Sequence, residues 1–183
     1  MNAINILVVE HDHILKMIAI TRQILANKST LNIDHVEQII DFIKSFADKY
    51  HHLKEEDVLF IEMEKQGMRR ENSPIAVMLH EHEQGRSYIK MAEEGIVEWK
   101  SGNRSALNQI SDNLLNYCTL LTNHIDKENR ILYPMAEQML TKKILESMSV
   151  DFETANKTTI NNEYTDKYLK MEEQLCEIYL NGQ

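Results

Sequence analysis

The chain has 183 residues, room for one domain with a real core or one domain plus an appendage. Glycine and proline together (5 and 2 residues) make up about 4% of it, against an average near 12%, which argues against turn-rich sandwiches and barrels. A hydrophobic content of 43% excludes disorder, and a net charge of −9 makes nucleic acid and anionic membrane surfaces poor partners.

Apolar residues recur at helical spacing almost throughout, which predicts an all-α fold. A first helix is predicted over 2–27. Asn32 or Thr30 can cap a second, which runs to about Gln66 and stops at Gly67. Ser73-Pro74 is a start signal for a third, ending near Ser101-Gly102. Asn103 can cap a fourth, running to about Tyr133, where Pro134 breaks or restarts it. Short breaks between long helices imply antiparallel neighbours, hence an up-down-up-down four-helix bundle over residues 1–140.

Residues 141–183 read as a C-terminal helical extension that packs on the bundle. Thr141 can cap a short helix through Phe152. Thr154 to Asn162 reads as a loop, and Tyr164 to Leu180 as a helix anchored by Leu169, Leu175, Ile178 and Tyr179. Cys118 and Cys176 form no CxxC pair and are expected to be small buried hydrophobes. No apolar run approaches the roughly 18 residues that a membrane helix needs, and no secretion signal is recognisable, so a cytoplasmic location is expected.

The eight histidines are not scattered. His51 to Phe60 and His124 to Tyr133 share one pattern, His-x-x-x-Glu followed by Leu-aromatic at four and five residues past the glutamate. Histidine and glutamate at i and i+4 share a helix face. Leu59 and Leu132 fix the register, pairing His51 with Glu55 and His124 with Glu128. At about 100° per residue, both pairs lie within about 40° of the apolar stripe of their helix. His11 and His82 point inward by the same measure. His52 sits about 100° from His51, at the stripe's edge, and Glu56 about 140° away, toward solvent. His13, His35 and His80 fall on outer faces.

Four inward histidines and two inward glutamates on four helices need a compensating charge. Unpaired buried carboxylates cost several kcal/mol, and imidazole with carboxylate suits iron, zinc or manganese. Tyr117, on the face of His124, either hydrogen-bonds a ligand or fills the core. Gly85, one turn past His82, allows close approach of a neighbouring helix or a ligand.

Glu10 to Leu15, His51 to Phe60, Met78 to Arg86 and His124 to Pro134 resemble the hemerythrin-like, or HHE cation-binding, family. The resemblance spans residues 1–140 and implies a four-helix bundle around a non-haem di-iron centre. It implies terminal ligands at His11, His51, His82 and His124 and bridging carboxylates at Glu55 and Glu128. Oxygen-carrying members have a His-x-x-x-His on the third helix and an aspartate bridge in the fourth-helix motif. Here Met78 and Arg86 flank His82 at four residues, and the carboxylate is Glu128. Some relatives carry an extra ligand right after the second-helix histidine, which would make His52 a fifth imidazole.

The resemblance therefore implies two iron ions, with zinc or manganese as substitutes, and a small diatomic or peroxide ligand (O2, NO or H2O2). The departures point to sensor and stress-response branches rather than reversible oxygen carriage. The alternative is a di-iron enzyme, as a peroxidase, oxidase or nitric oxide reductase, or an iron donor in repair of iron–sulfur clusters. A protein partner is compatible with this reading, but no motif identifies one.

Overall fold

Asn2 opens the first helix, α1 (Ala3–Ala26), by accepting the backbone N–H of Asn5 at 2.8 Å. The computed structural model describes residues 2–27, 31–159 and 162–182, the side chains within 155–164 excepted. Asn32 caps α2 (Ile33–Phe42) by accepting the N–H groups of Asp34 and His35, while Thr30 lies outside the described residues. The helix continues through two widened π-helical stretches, π1 (Ile43–His52) and π2 (Glu55–Leu59), into α3 (Phe60–Lys65). Gly67 then turns the chain at φ +100°, a conformation that suits glycine.

Pro74 sits in the first turn of α4 (Pro74–Lys100), where its missing N–H removes no helical bond. Ser105, not Asn103, directly precedes α5 (Ala106–Lys127); the Asn103 side chain accepts the Ser105 hydroxyl at 2.6 Å. From α5 the chain passes through π3 (Glu128–Leu132) into α6 (Tyr133–Met139). Thr141 caps α7 (Lys142–Thr159), accepting the N–H of Ile144 at 3.4 Å. The chain ends in α8 (Asn162–Cys176) and π4 (Glu177–Asn181). Regular structure among the described residues is all helical, and none of these helices is long and apolar enough to cross a membrane.

Both copies of the repeated motif widen at the same place. The N–H of Phe60 reaches back five residues to the carbonyl of Glu55, and that of Tyr133 to the carbonyl of Glu128. Pro134 would clash with the carbonyl four residues before it in a regular helix, which favours widening in the second copy. The first copy has Ile61 there and widens too, so proline is not the common cause. Such widened turns are frequent at functional sites.

α4 and α5 lie along one another, close enough that a Cβ on Gly95 would stand 2.9 Å from Ile110. α1 packs on α5, and α7 and α8 both pack on α1. The apolar core falls into two clusters. One gathers Ile14, Ile39, Phe46, Ile89 and Leu121; the other gathers Leu7, Phe60, Ile75, Tyr133 and Phe152. Buried histidines and glutamates occupy the layer between them.

Three expectations for the C-terminal part change. Thr154 to Thr159 is helical rather than a loop, because α7 runs on past Phe152. Tyr168 and Leu175 anchor α8, whereas Ile178 is 53% exposed. His13 and His35 are half-buried rather than solvated, since α8 and π4 land on them: His13 bonds Glu172 at 2.6 Å and His35 bonds the Tyr179 hydroxyl at 2.6 Å.

Phe152 is the main apolar anchor of α7 and is buried among α1, α3 and α6 residues. Phe152→Ala should lower the unfolding free energy by about 3–5 kcal/mol in a urea titration. A loss below about 1 kcal/mol would mean that α7 contributes little to the core.

Candidate metal centre

The polar layer draws on helical segments spread over residues 3–132. His11 comes from α1, His51 and His52 from the end of π1, His82 from α4 and His124 from α5. Glu55 and Glu128 each open a π turn, and both are completely buried. The side chains form two overlapping groups, His11, His51, Glu55 and Glu128 in one and His52, Glu55, His82 and His124 in the other. Within each group the donor atoms lie within 4.8 Å of one another.

The two glutamates link the groups. Glu55 Oε2 lies 3.7 Å from His51 Nε2 and 3.6 Å from His82 Nε2. Glu128 places Oε2 3.2 Å from His11 Nε2 and Oε1 3.1 Å from His124 Nε2. Despite these distances, both Glu128 oxygens, Glu55 Oε2 and His51 Nε2 are buried without a hydrogen-bond partner. Buried polar atoms are rarely left so, because each forfeits its hydration for nothing.

All five imidazoles are held from behind. Nδ1 meets a side-chain oxygen in each: Asn129 for His11 (2.9 Å), Glu10 for His51 (3.0 Å), Asp48 for His52 (3.4 Å), Glu56 for His82 (2.7 Å) and Glu81 for His124 (3.0 Å). With the neutral ring's N–H at Nδ1, each of these oxygens accepts a hydrogen bond from it, and the Nε2 lone pair then faces the centre. This arrangement orients metal-binding histidines and raises their basicity. The Nε2 atoms of His82 and His124 are only 3.1 Å apart, so two lone pairs would repel there unless a proton or cation stood between them. The donor set of nitrogen and carboxylate oxygen suits iron, zinc or manganese, and four orphaned atoms converge where such an ion would sit.

The electrostatics of the metal-free chain show the same need. Burial, and then the neighbouring Glu128 charge, push the Glu55 carboxyl well above its usual range. Burial would raise Glu128 too, but His124 and His11 outweigh it and hold that carboxyl well below. Burial drives His51 and His52 well below the ordinary imidazole range. Burial acts against the charged form of His124 as well, yet Glu128 and Glu81 raise it to about 9.

The structure brings together every residue that the sequence nominates: His11, His51, His52, Glu55, His82, His124 and Glu128. His52 is more deeply placed than a regular helix allows. π1 turns less per residue than an α-helix, so His51 and His52 both face inward, toward opposite ends of the centre. Its ring stacks on His82 at 3.8 Å. Glu56 is not simply solvated; it is 24% exposed and holds both His82 and Arg86. Tyr117 is buried in the wall of a cavity, and its ring lies against Gly85, where a Cβ would meet it at 3.3 Å.

Sequence reasoning missed Glu10, Lys54, Glu81 and Tyr133. Lys54 is completely buried, pairs with Glu10 and lies 3.3 Å from the centre of the Tyr50 ring. It thus anchors the carboxylate that anchors His51. A lysine three residues past an inward histidine shares its face, and that was a usable signal. Glu10, next to His11, follows no periodic pattern that would single it out.

A cavity of about 220 Å³ opens between π1, α4 and α5. Its floor is His52, His82 and His124, its walls include Ile43, Ile89 and Leu121, and Lys44, Lys90 and Glu93 stand around it. Arg86 lines it too and ties Asp48 to Glu56, the two carboxylates behind His52 and His82.

A family model, that of the hemerythrin HHE cation binding domain, matches residues 2–136. No curated protein and no solved structure matches the chain significantly.

In the metal-free protein burial and the Glu128 charge favour the protonated form of Glu55, so a neutral isostere should fit its place. Glu55→Gln should leave unfolding free energy without metal within about 1 kcal/mol of the parent, while removing most of the stabilisation that added metal gives. Thermal melts with and without metal check this. A large loss of stability without metal would mean that Glu55 is an ionised, paired carboxylate.

Proposed function

The chain belongs to the hemerythrin HHE cation-binding domain family, and on that premise we propose that it holds two non-haem iron ions and binds or senses a small diatomic or peroxide ligand at them. One observation carries this reading: five outward-anchored imidazoles surround two buried carboxylates whose oxygens reach both histidine groups. In this reading His11 and His51 would hold one ion, His52, His82 and His124 the other, and Glu55 and Glu128 would serve both. Iron, when bound, supplies electron exchange with O2, NO or peroxide. Zinc or manganese would occupy the same nitrogen and oxygen donors without serving that role equally.

The protein's part is positional. The five outer acceptors fix which nitrogen of each imidazole faces inward, and the loss of one such partner typically costs 10–100-fold in metal affinity. The apolar walls above His52, His82 and His124 admit a small uncharged molecule and limit water around it. We read residues 1–140 as an up-down-up-down four-helix bundle and residues 141–183 as an extension lying on α1. A signal from the centre would leave through that extension or through a partner protein.

A second reading has its own support. The cavity of about 220 Å³ is larger than a diatomic requires, which favours a di-iron enzyme that turns over peroxide with an organic reductant. Turnover of peroxide by the iron-loaded protein separates this from simple binding.

Iron loaded without oxygen, followed by addition of O2, NO or peroxide, should change the visible spectrum once per centre. His51→Ala and His124→Ala should lose most of the iron and the spectral change, and His35→Ala neither. Equal iron content in all three variants would contradict the assignment.

A further inference from the structure

The two copies of the motif are not equivalent at the aromatic position. Phe60 in the first copy aligns with Tyr133 in the second. Each ring lies nearly parallel to a histidine of the centre, Phe60 over His82 (6.3 Å, 17°) and Tyr133 over His11 (5.4 Å, 8°). Only the second ring carries an oxygen, and it points into the cluster. Tyr133 Oη donates to Glu55 Oε1 at 2.6 Å and stands 3.3 Å from His11 Nε2.

The copies differ at a second position in a compensating sense. His52 in the first copy aligns with Ile125 in the second. One histidine group therefore holds three imidazoles and the other only two. The phenol is on the side that lacks the third imidazole. Its distances also suit a ligand: with metal–ligand bonds of about 2.1 Å, neighbouring donor atoms at one ion lie about 3 Å apart. The 3.3 Å from His11 falls near that value, as does the 3.2 Å between His11 and Glu128, while the 2.6 Å to Glu55 is a hydrogen bond whose proton would leave on binding.

Resting on the two-iron reading, we propose that the Tyr133 phenol oxygen is a protein ligand to the ion held by His11 and His51. It takes the place that His52 fills at the other ion. On binding, the O–H bond breaks, an oxygen–metal bond forms, and one proton per chain leaves to solvent. The centre is then asymmetric in kind: three imidazoles at the end beneath the cavity, two imidazoles and a phenolate at the end that Tyr133 closes.

Ferric phenolates absorb in the visible through charge transfer from oxygen to iron, a signature that imidazole and carboxylate do not give. The iron-loaded, oxidised protein should show this band, with tyrosine ring vibrations enhanced in Raman spectra excited within it. Tyr133→Phe should lose both while retaining iron and helical circular dichroism. Tyr133→His, which offers an imidazole instead, should also lose the band, and Tyr117→Phe should keep it. Ring-deuterated tyrosine in the unmutated chain should shift the enhanced vibrations, a measurement that needs no variant to fold. Iron without the band overturns this proposal alone, because Tyr133 is then only a hydrogen-bond donor to Glu55. A band that survives in Tyr133→Phe overturns it as well. A chain that takes up no iron overturns the two-iron reading and this proposal with it.

Discussion

Two carboxylates placed at the middle of a protein with no hydrogen bond to three of their four oxygens set the terms for the rest of this structure. An ionised carboxylate in such a place costs several kcal/mol, more than a domain with a typical 5–15 kcal/mol of stability carries lightly. The two apolar clusters do not relieve that cost; they sandwich it. In the metal-free chain the cost is lowered as burial shifts Glu55 toward its neutral form and Glu128 favours the charged form of His124 beside it. A pair of cations would lower it further, and every side chain in the layer is oriented as if to receive them.

That orientation is imposed from outside the centre. Five imidazoles are each fixed at Nδ1, four by carboxylates and one by an amide. The carboxylates are held in turn by cations: Glu10 by Lys54, Asp48 and Glu56 by Arg86, Glu81 by Lys127. Lys54 also brings this outer layer near α7, its ammonium lying 6.0 Å from the centre of the Phe152 ring. Glu172 of α8, buried and bonded to His13 and Lys16, fastens the extension to the same helix that carries His11. The C-terminal helices thus pack on the helix that carries His11.

Much of the centre was legible in the sequence because the motif repeats. Leu59 and Leu132 fix one register for both copies, and the inward phase of His11 and His82 follows from regular helices, where 100° per residue holds. His52 was ambiguous for one physical reason. It ends a π-helical stretch, and no residue pattern announces that the helix is about to widen. Glu56 differs: its phase on its own helix is outward, but α4 brings His82 and Arg86 up to it. Phase within one helix cannot report what a neighbouring helix delivers. The same limit hid Glu81 and Glu172, and the run of threonine and asparagine after Thr154 hid the continuation of α7.

The two-iron reading requires Glu55 and Glu128 to bridge two ions in one chain. Iron-loaded, oxidised protein should contain two irons per chain and, because bridged ferric ions couple their spins, should give almost no electron paramagnetic resonance signal despite its iron. One iron per chain, or a high-spin ferric signal that accounts for all the iron present, would contradict it.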